Sequence, residues 1–91
     1  MRITYDEPKR ALNLEVHGFD FADFAEGFDF DTAKQFPTYA SPFTGRTRFG
    51  LIGWFRGEVV VVGIVSPLGS EALSLVSFRH ASKRERTDNG F

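Results

Sequence analysis

The apolar positions of this chain follow a helical period in its N-terminal third and a strand period over most of the rest. A first helix is predicted to begin after Asp6 and to end near His17, because Gly18 is a residue that commonly terminates helices in a left-handed conformation. Leu12 and Val16 stand four residues apart in it, which predicts that both face the core.

A second helix is predicted to follow Asp20, a residue type that caps helix N-termini. Its apolar residues recur at positions i, i+3, i+4 and i+7, namely Phe21, Phe24, Ala25 and Phe28. This spacing is typical of a helix face that packs into a core, rather than of a ligand-binding box.

The remaining residues are predicted to form strands joined by short connections. The candidate strands are residues 3–5, 32–36, 46–55, 59–65 and 72–80. Residues 59–65 are continuously apolar and β-branched, which predicts the buried central strand. The predicted connections are a loop at 38–45, a two-residue hairpin turn at Arg56-Gly57 and a turn at 67–70.

The last predicted strand runs directly into a basic helical turn. Its alternation places Leu75 and Arg79 on one face and Phe78 on the other. Ser82 and Glu85 stand three residues apart, as in a capping box, so a short C-terminal helix is predicted to start there.

This order of elements predicts an α+β fold for a single domain that spans residues 1–91. Two N-terminal helices are expected to pack on one face of a mostly antiparallel, twisted sheet of four or five strands, followed by the short C-terminal helix. Short connections favour antiparallel neighbours. The arginines are expected on the other, more open face of the sheet.

Composition narrows the class of protein. A hydrophobic content of 42% with 25% charged residues is typical of a globular chain, and the absence of cysteine excludes disulfides and thiolate metal sites. No apolar run approaches the roughly 20 residues of a membrane span, and the N-terminus lacks the apolar core of a signal peptide, so we expect a cytoplasmic protein without membrane contact.

Charge is distributed unevenly along the chain. The net charge is −1, but residues 1–35 hold eight acids and four bases, net −4, whereas residues 36–91 hold four acids and seven bases, net +3. Such a separation can produce a basic face on a nearly neutral protein, although an ordinary solvated surface has the same composition.

Several kinds of active site are excluded by the sequence. It contains no glycine-rich phosphate loop, no Cys/His metal pattern and no G-x-S-x-G nucleophile motif. We therefore expect neither a metal ion nor a cofactor.

The chemistry that remains involves basic residues at strand ends. Arg46, Arg48 and Arg79 are expected to converge if their strands are neighbours, and guanidinium groups suit phosphate. Fixed cations can also support RNA cleavage, in which the 2′-hydroxyl attacks the adjacent phosphorus and negative charge grows on the phosphoryl oxygens. The alternative for these arginines is a set of plain surface salt bridges.

Other residues have possible roles in the same reaction. His80 and Glu85 are the candidates for proton transfer, although Glu85 also fits the role of a helix cap. Lys83 and Arg84 extend the basic cluster, and Trp54 or Tyr39 is suited to stacking on a base.

With these residues laid out, the chain resembles the BrnT family, the ribonuclease toxins of bacterial toxin–antitoxin pairs. The resemblance extends over nearly the whole chain and rests on four segments in order: Tyr5-Asp6-x-x-Lys9-x-x-x-Asn13 with His17-Gly18-x-x-Phe21, residues 21–28, Gly45-x-x-Arg48-Phe49-x-x-Ile52-Gly53, and Val76-Ser77-x-Arg79-x-Ala81-x-x-x-Glu85-Arg86.

The resemblance implies a RelE-like toxin fold and a metal-independent endoribonuclease that inhibits translation and growth. It also implies neutralisation by a BrnA-type antitoxin of the ribbon-helix-helix class, with promoter DNA bound only through that antitoxin. By motif position, Arg79 and Arg48 are the catalytic candidates, followed by Lys83.

Two other functions are consistent with the sequence. The chain departs from the family pattern at residues 46–47, 66–68 and 78, which is consistent with a catalytically degenerate homologue that acts only as an antitoxin-binding, co-repressor module. A nucleic-acid binder without chemistry is the third possibility, and the net charge of −1 disfavours it.

Overall fold

The computed structural model describes residues 2–40, 42 and 44–91; Ser41 and Phe43, within the predicted loop 38–45, lie outside the described residues. The five strands are β1 (Arg2–Thr4), β2 (Lys34–Pro37), β3 (Phe49–Phe55), β4 (Val59–Leu68) and β5 (Ala72–His80). The helices are α1 (Glu7–His17), α2 (Phe24–Gly27), which continues a 3-10 turn at Phe21–Asp23, and α3 (Lys83–Asn89). This architecture confirms the predicted α+β fold.

The strands form one sheet in the order β1-β5-β4-β3-β2. β1 runs parallel to β5, and the other neighbours are antiparallel, with β4 in the centre as predicted. The hairpin turn between β3 and β4 lies where it was predicted, but the connection has three residues, 56–58, because Phe55 pairs with Val59. The tight turn is centred on Arg56 and Gly57, which both have positive φ, 53° and 66°, and the Glu58 N–H donates to the Phe55 carbonyl across it.

One face of the sheet, called here the helix face, carries the larger core. Phe21, Phe24 and Phe28 pack there against Phe55 and Phe78, as the predicted aromatic stripe requires. Ala25, the fourth member of that stripe, is exposed, and the predicted second helix is a 3-10 turn followed by the four-residue α2. Gly63 of β4 allows the close approach, since a Cβ at that position would lie 2.6 Å from the ring of Phe24.

The opposite face of the sheet, called here the arginine face, carries Ile52, Val62, Ser66, Ser74 and Arg79. Cross-strand pairing establishes the set, because Ile52 and Arg79 both pair with Val62, and Ser66 pairs with Ser74. α3 covers part of this face. Its C-terminal neighbour Phe91 packs against the buried cluster of Ile52, Val60 and Val62.

A β-bulge in β5 overturns the predicted alternation of that strand. Val65 pairs with Leu75 but Ile64 pairs with Ser77, so Val76 is an extra residue in β5. One extra residue in a strand moves every side chain after it to the opposite face of the sheet. Leu75 and Phe78 therefore both enter the core on the helix face, and the prediction that Leu75 and Arg79 share a face was wrong.

The inward face of α1 was also predicted wrongly. Leu12 and Val16 are 61% and 63% exposed, whereas the polar Asn13 between them is buried. The reason is that α1 lies along the outer edge of β5. The Asn13 side chain accepts a hydrogen bond from the backbone N–H of Phe78 (3.1 Å) and donates to the carbonyls of Phe78 (2.8 Å) and Phe19 (3.0 Å).

Element boundaries shift by a few residues elsewhere. β4 continues to Leu68, so the predicted turn at 67–70 begins two residues later, at Gly69. β2 and β3 start later than the predicted strands. None of the helices in the described ranges is long and apolar enough to cross a membrane.

We expect Asn13→Ala to destabilise the fold by about 2–3 kcal/mol, because it leaves the buried backbone groups of Phe78 without partners. Urea unfolding of the variant measures this. Leu14→Ala is the matched control, because Leu14 is an exposed neighbour on the same helix, and its expected change is within about 0.5 kcal/mol. Equal losses in the two variants would contradict the role assigned to Asn13.

Candidate functional site

A hollow of about 250 Å³ lies at the end of the arginine face where β3 begins. Lys9 of α1 borders it together with Arg46 and Arg48, which precede β3, and the paired Ser66 and Ser74 line it as well. We call it the basic hollow. Among the described residues that line it there are three cations and no carboxylate, so its charge favours an anion.

The position of the two arginines depends on Ser66. Its hydroxyl donates a hydrogen bond to the carbonyl of Thr47, at 2.8 Å. Ser66 is buried and belongs to the central strand, so this bond holds the segment between Arg46 and Arg48 against β4. The arginines are thus anchored at the sheet although they lie outside β3.

Arg79 projects from the same face but does not line the basic hollow. It pairs with Val62 of β4, four residues from Ser66, which corresponds to about 13 Å along the strand at about 3.3 Å per residue. Its guanidinium makes a bidentate ion pair with Glu85, with Nη1–Oε1 at 2.7 Å and Nη2–Oε2 at 2.9 Å. The structure therefore brings Arg46 and Arg48 together but leaves Arg79 apart from them.

Glu85 is occupied by two structural roles at once. Besides binding Arg79, its carboxylate accepts a hydrogen bond from the backbone N–H of Ser82, which completes the predicted capping box. The hydrogen bond from Arg79 is the main reason why the pKa of Glu85 falls from its usual 4.5 to about 2. A carboxylate with this pKa is a weak proton acceptor near neutral pH.

His80 lies on the other side of the sheet from Arg79. It follows Arg79 directly in β5, so its side chain points to the helix face, where its ring centroid lies 4.8 Å from that of Phe19. The side chain is exposed at the end of the strand. The structure thus separates His80 from the basic hollow by the thickness of the sheet.

The other predicted RNA-binding residues lie toward the opposite end of the arginine face. Trp54, 41% exposed, is six residues from Arg48, or about 20 Å along β3. Lys83 and Arg84 are exposed on α3, where the Nε of Arg84 lies 3.7 Å from the Oδ2 of Asp88. A single nucleotide cannot contact Arg48 and Trp54 together, but a strand of several nucleotides can. Tyr39 is almost fully exposed, on the loop after β2.

Reasoning from the sequence missed Lys9 as a site residue. It reaches the basic hollow because α1 continues along the edge of β5 after the parallel strand β1. The only signal for it was its place in the opening segment of the family pattern. No group of three or more His, Asp or Glu side chains placed to hold a metal ion occurs within residues 2–40, 42 and 44–91.

Comparison with known proteins assigns this chain to a family. Residues 5–85 match the family model described as the ribonuclease toxin, BrnT, of type II toxin-antitoxin systems. The chain is also similar to the crystal structure of the Brucella abortus ribonuclease toxin BrnT, with 46% sequence identity, coverage of 91% of this chain and 99% of that chain, and a TM-score of 0.73. A comparison with curated proteins found no match.

The ion pair between Glu85 and Arg79 makes stability depend on pH in a defined window. Because the folded-state pKa of Glu85 is lowered to about 2, its contribution is complete above the unfolded pKa of about 4.5 and is lost as the pH falls toward 2. We expect Glu85→Gln to reduce the free energy of unfolding at pH 7 by about 1–2 kcal/mol and to flatten its pH dependence between 4.5 and 2.

Thermal unfolding at a series of pH values measures this effect. Asp20 is the matched control, because its pKa is also lowered to about 2, mainly by the hydrogen bond from Arg10, and Asp20→Asn should flatten the same window without affecting α3. An unchanged pH profile for Glu85→Gln would contradict the prediction.

Proposed function

Because this chain belongs to the BrnT family of ribonuclease toxins of type II toxin-antitoxin systems, we propose that it is a metal-independent endoribonuclease that binds the reacting phosphate of RNA in the basic hollow. The observation that carries this proposal is the convergence of Lys9, Arg46 and Arg48 on one concavity, in a protein whose net charge is −1.

The proposed reaction is transfer of the phosphoryl group from the 5′-oxygen to the neighbouring 2′-oxygen. The bond between the 2′-oxygen and phosphorus forms while the bond to the 5′-oxygen breaks, which leaves a cyclic phosphate. The 2′-hydroxyl loses a proton and the departing 5′-oxygen gains one. Negative charge grows on the non-bridging oxygens, where Arg46 and Arg48 can each donate two hydrogen bonds and Lys9 adds a further charge.

The positions of the remaining predicted residues suggest roles for them in the proposed reaction. Arg79 either contacts a neighbouring phosphate of the same strand or serves only to anchor α3 through Glu85. We expect Trp54, which is 41% exposed, to stack on a base of the same RNA strand several nucleotides away from Arg48, and Lys83 and Arg84 to contact the RNA backbone there.

We further propose that the protein acts in the cytoplasm, where it inhibits translation and growth by cleaving RNA. A BrnA-type ribbon-helix-helix antitoxin would neutralise it, and promoter DNA would be bound through that antitoxin. Membership of a type II toxin family supports an antitoxin partner in general.

A second candidate function is supported by a specific observation. Glu85 is held by Arg79, and His80 lies on the opposite face, so neither predicted proton-transfer residue borders the basic hollow. This arrangement favours a degenerate homologue that binds the antitoxin without cleaving RNA. Cleavage assays on the purified chain distinguish the two functions.

Arg48→Ala should lower the rate of RNA cleavage by about 100-fold or more, because it removes a charged donor from the site of developing charge. The rate is measured with purified protein on total or synthetic RNA, with and without EDTA, and EDTA should leave the wild-type rate unchanged. Arg56→Ala is the matched control, because Arg56 is an exposed arginine in the β3–β4 turn. Loss of activity in EDTA, or equal rates for the two variants, would contradict the proposal.

A pair of variants separates the two possible roles of Arg79. Glu85→Gln removes the charge that holds Arg79 but leaves the guanidinium in place, whereas Arg79→Ala removes it. If Arg79 contacts RNA, we expect Arg79→Ala to lower cleavage at least tenfold more than Glu85→Gln does. Equal rates in variants of equal stability would show that Arg79 only anchors α3.

A further inference from the structure

A second groove, of about 280 Å³, lies beside the basic hollow. One face of α1 forms one wall with Leu12 and Val16, and β5 forms the other with Val76 and Ser77. We call it the α1 groove. Lys9 and Val76 line both the α1 groove and the basic hollow, so the two are continuous.

The α1 groove is apolar and open. Leu12 and Val16 expose most of their surface, although helices of globular proteins usually bury such side chains. They are exposed because Asn13, which binds the backbone of Phe78, is the only buried residue of α1. Exposed apolar side chains that line a groove are typical of a surface that another protein covers.

The charge around the two concavities is of one sign. The described residues that line the α1 groove and the basic hollow include the cations Lys9, Arg46 and Arg48 but no carboxylate. The occupant that matches both is a protein segment with apolar side chains at one end and acidic side chains at the other. RNA offers no apolar side chains for Leu12 and Val16, and a two-fold contact between copies would place the same surface, which lacks lining carboxylates, on both sides.

Building on the proposed function, we propose that a segment of the antitoxin docks along the α1 groove and into the basic hollow. Its apolar side chains contact Leu12, Val16 and Val76, and its acidic side chains pair with Lys9, Arg46 and Arg48. The antitoxin thereby neutralises the toxin by covering the same cations that bind the RNA phosphate.

The test uses the purified product of the reading frame adjacent to the toxin gene as the antitoxin. Its affinity for the toxin is measured by calorimetry with wild type, with Leu12→Ser/Val16→Ser and with Leu14→Ser as the matched control. Leu14 is exposed on the same helix but does not line the groove. We expect the double variant to bind at least tenfold more weakly and Leu14→Ser to bind within about twofold of wild type.

RNA cleavage by the free double variant should equal that of wild type, since Leu12 and Val16 lie outside the basic hollow. This readout separates the two proposals. If no variant cleaves RNA but the double variant still binds the antitoxin weakly, the proposed function fails and the docking site stands. Wild-type affinity in the double variant overturns the docking site, whatever the cleavage result.

Two further measurements test the occupant and the mode of neutralisation. A 2′-O-methyl RNA, which lacks the attacking hydroxyl, should compete with the antitoxin for the toxin, and a stable ternary complex would overturn the proposal.

Light scattering reports the oligomeric state of the free toxin. A dimer that the double variant abolishes without loss of antitoxin affinity would assign the groove to a second copy instead.

Discussion

The structure depends on the pairing of one buried side chain, that of Asn13, with the edge of β5. β1 covers the first part of this edge by parallel pairing, and where β1 ends the Asn13 amide takes over the backbone N–H and C=O of Phe78. A helix can thus continue the path of a strand without leaving buried backbone groups unpaired. This placement also directs Lys9 toward the basic hollow.

The same contact explains why a helix with apolar residues exposes them. Asn13 is the residue through which α1 is buried against the sheet. Leu12 and Val16 are therefore not covered by the sheet and line the open groove between α1 and β5. The result is an apolar groove that continues into a cationic hollow. A site for an anion and a site for an apolar partner therefore share a border at Lys9 and Val76.

The bulge in β5 has a comparable influence on the chemistry. If β5 paired with β4 without the bulge, Phe78 would lie opposite Val62 and leave the core, and Arg79 would enter it. With the bulge, Phe78 is fully buried and Arg79 reaches Glu85 on the arginine face, where the ion pair ties α3 to the sheet. His80 is turned to the helix face by the same alternation. Alternation along β5 thus separates the two neighbouring candidates for catalysis, and the bulge determines which of them faces Glu85.

Much of the fold could be predicted from the sequence because its signals are local. The glycine after α1, the hairpin turn at Arg56-Gly57, the apolar run of β4 and the capping box of α3 each depend on residues close together in the chain. The order and spacing of the four matching segments also sufficed to indicate the family, which the comparisons confirmed.

The arrangement of the candidate site was decided only by the tertiary structure, because it depends on pairings between distant residues. Asn13 meets Phe78, Ser66 holds Thr47 and Lys9 joins Arg46 and Arg48 only once the sheet has formed. The bulge likewise appears only in the register of β4 against β5, since the alternation of residues within β5 does not show how that strand pairs with its neighbour. Local patterns therefore determined the elements, and packing between them determined which side chains face a common ligand.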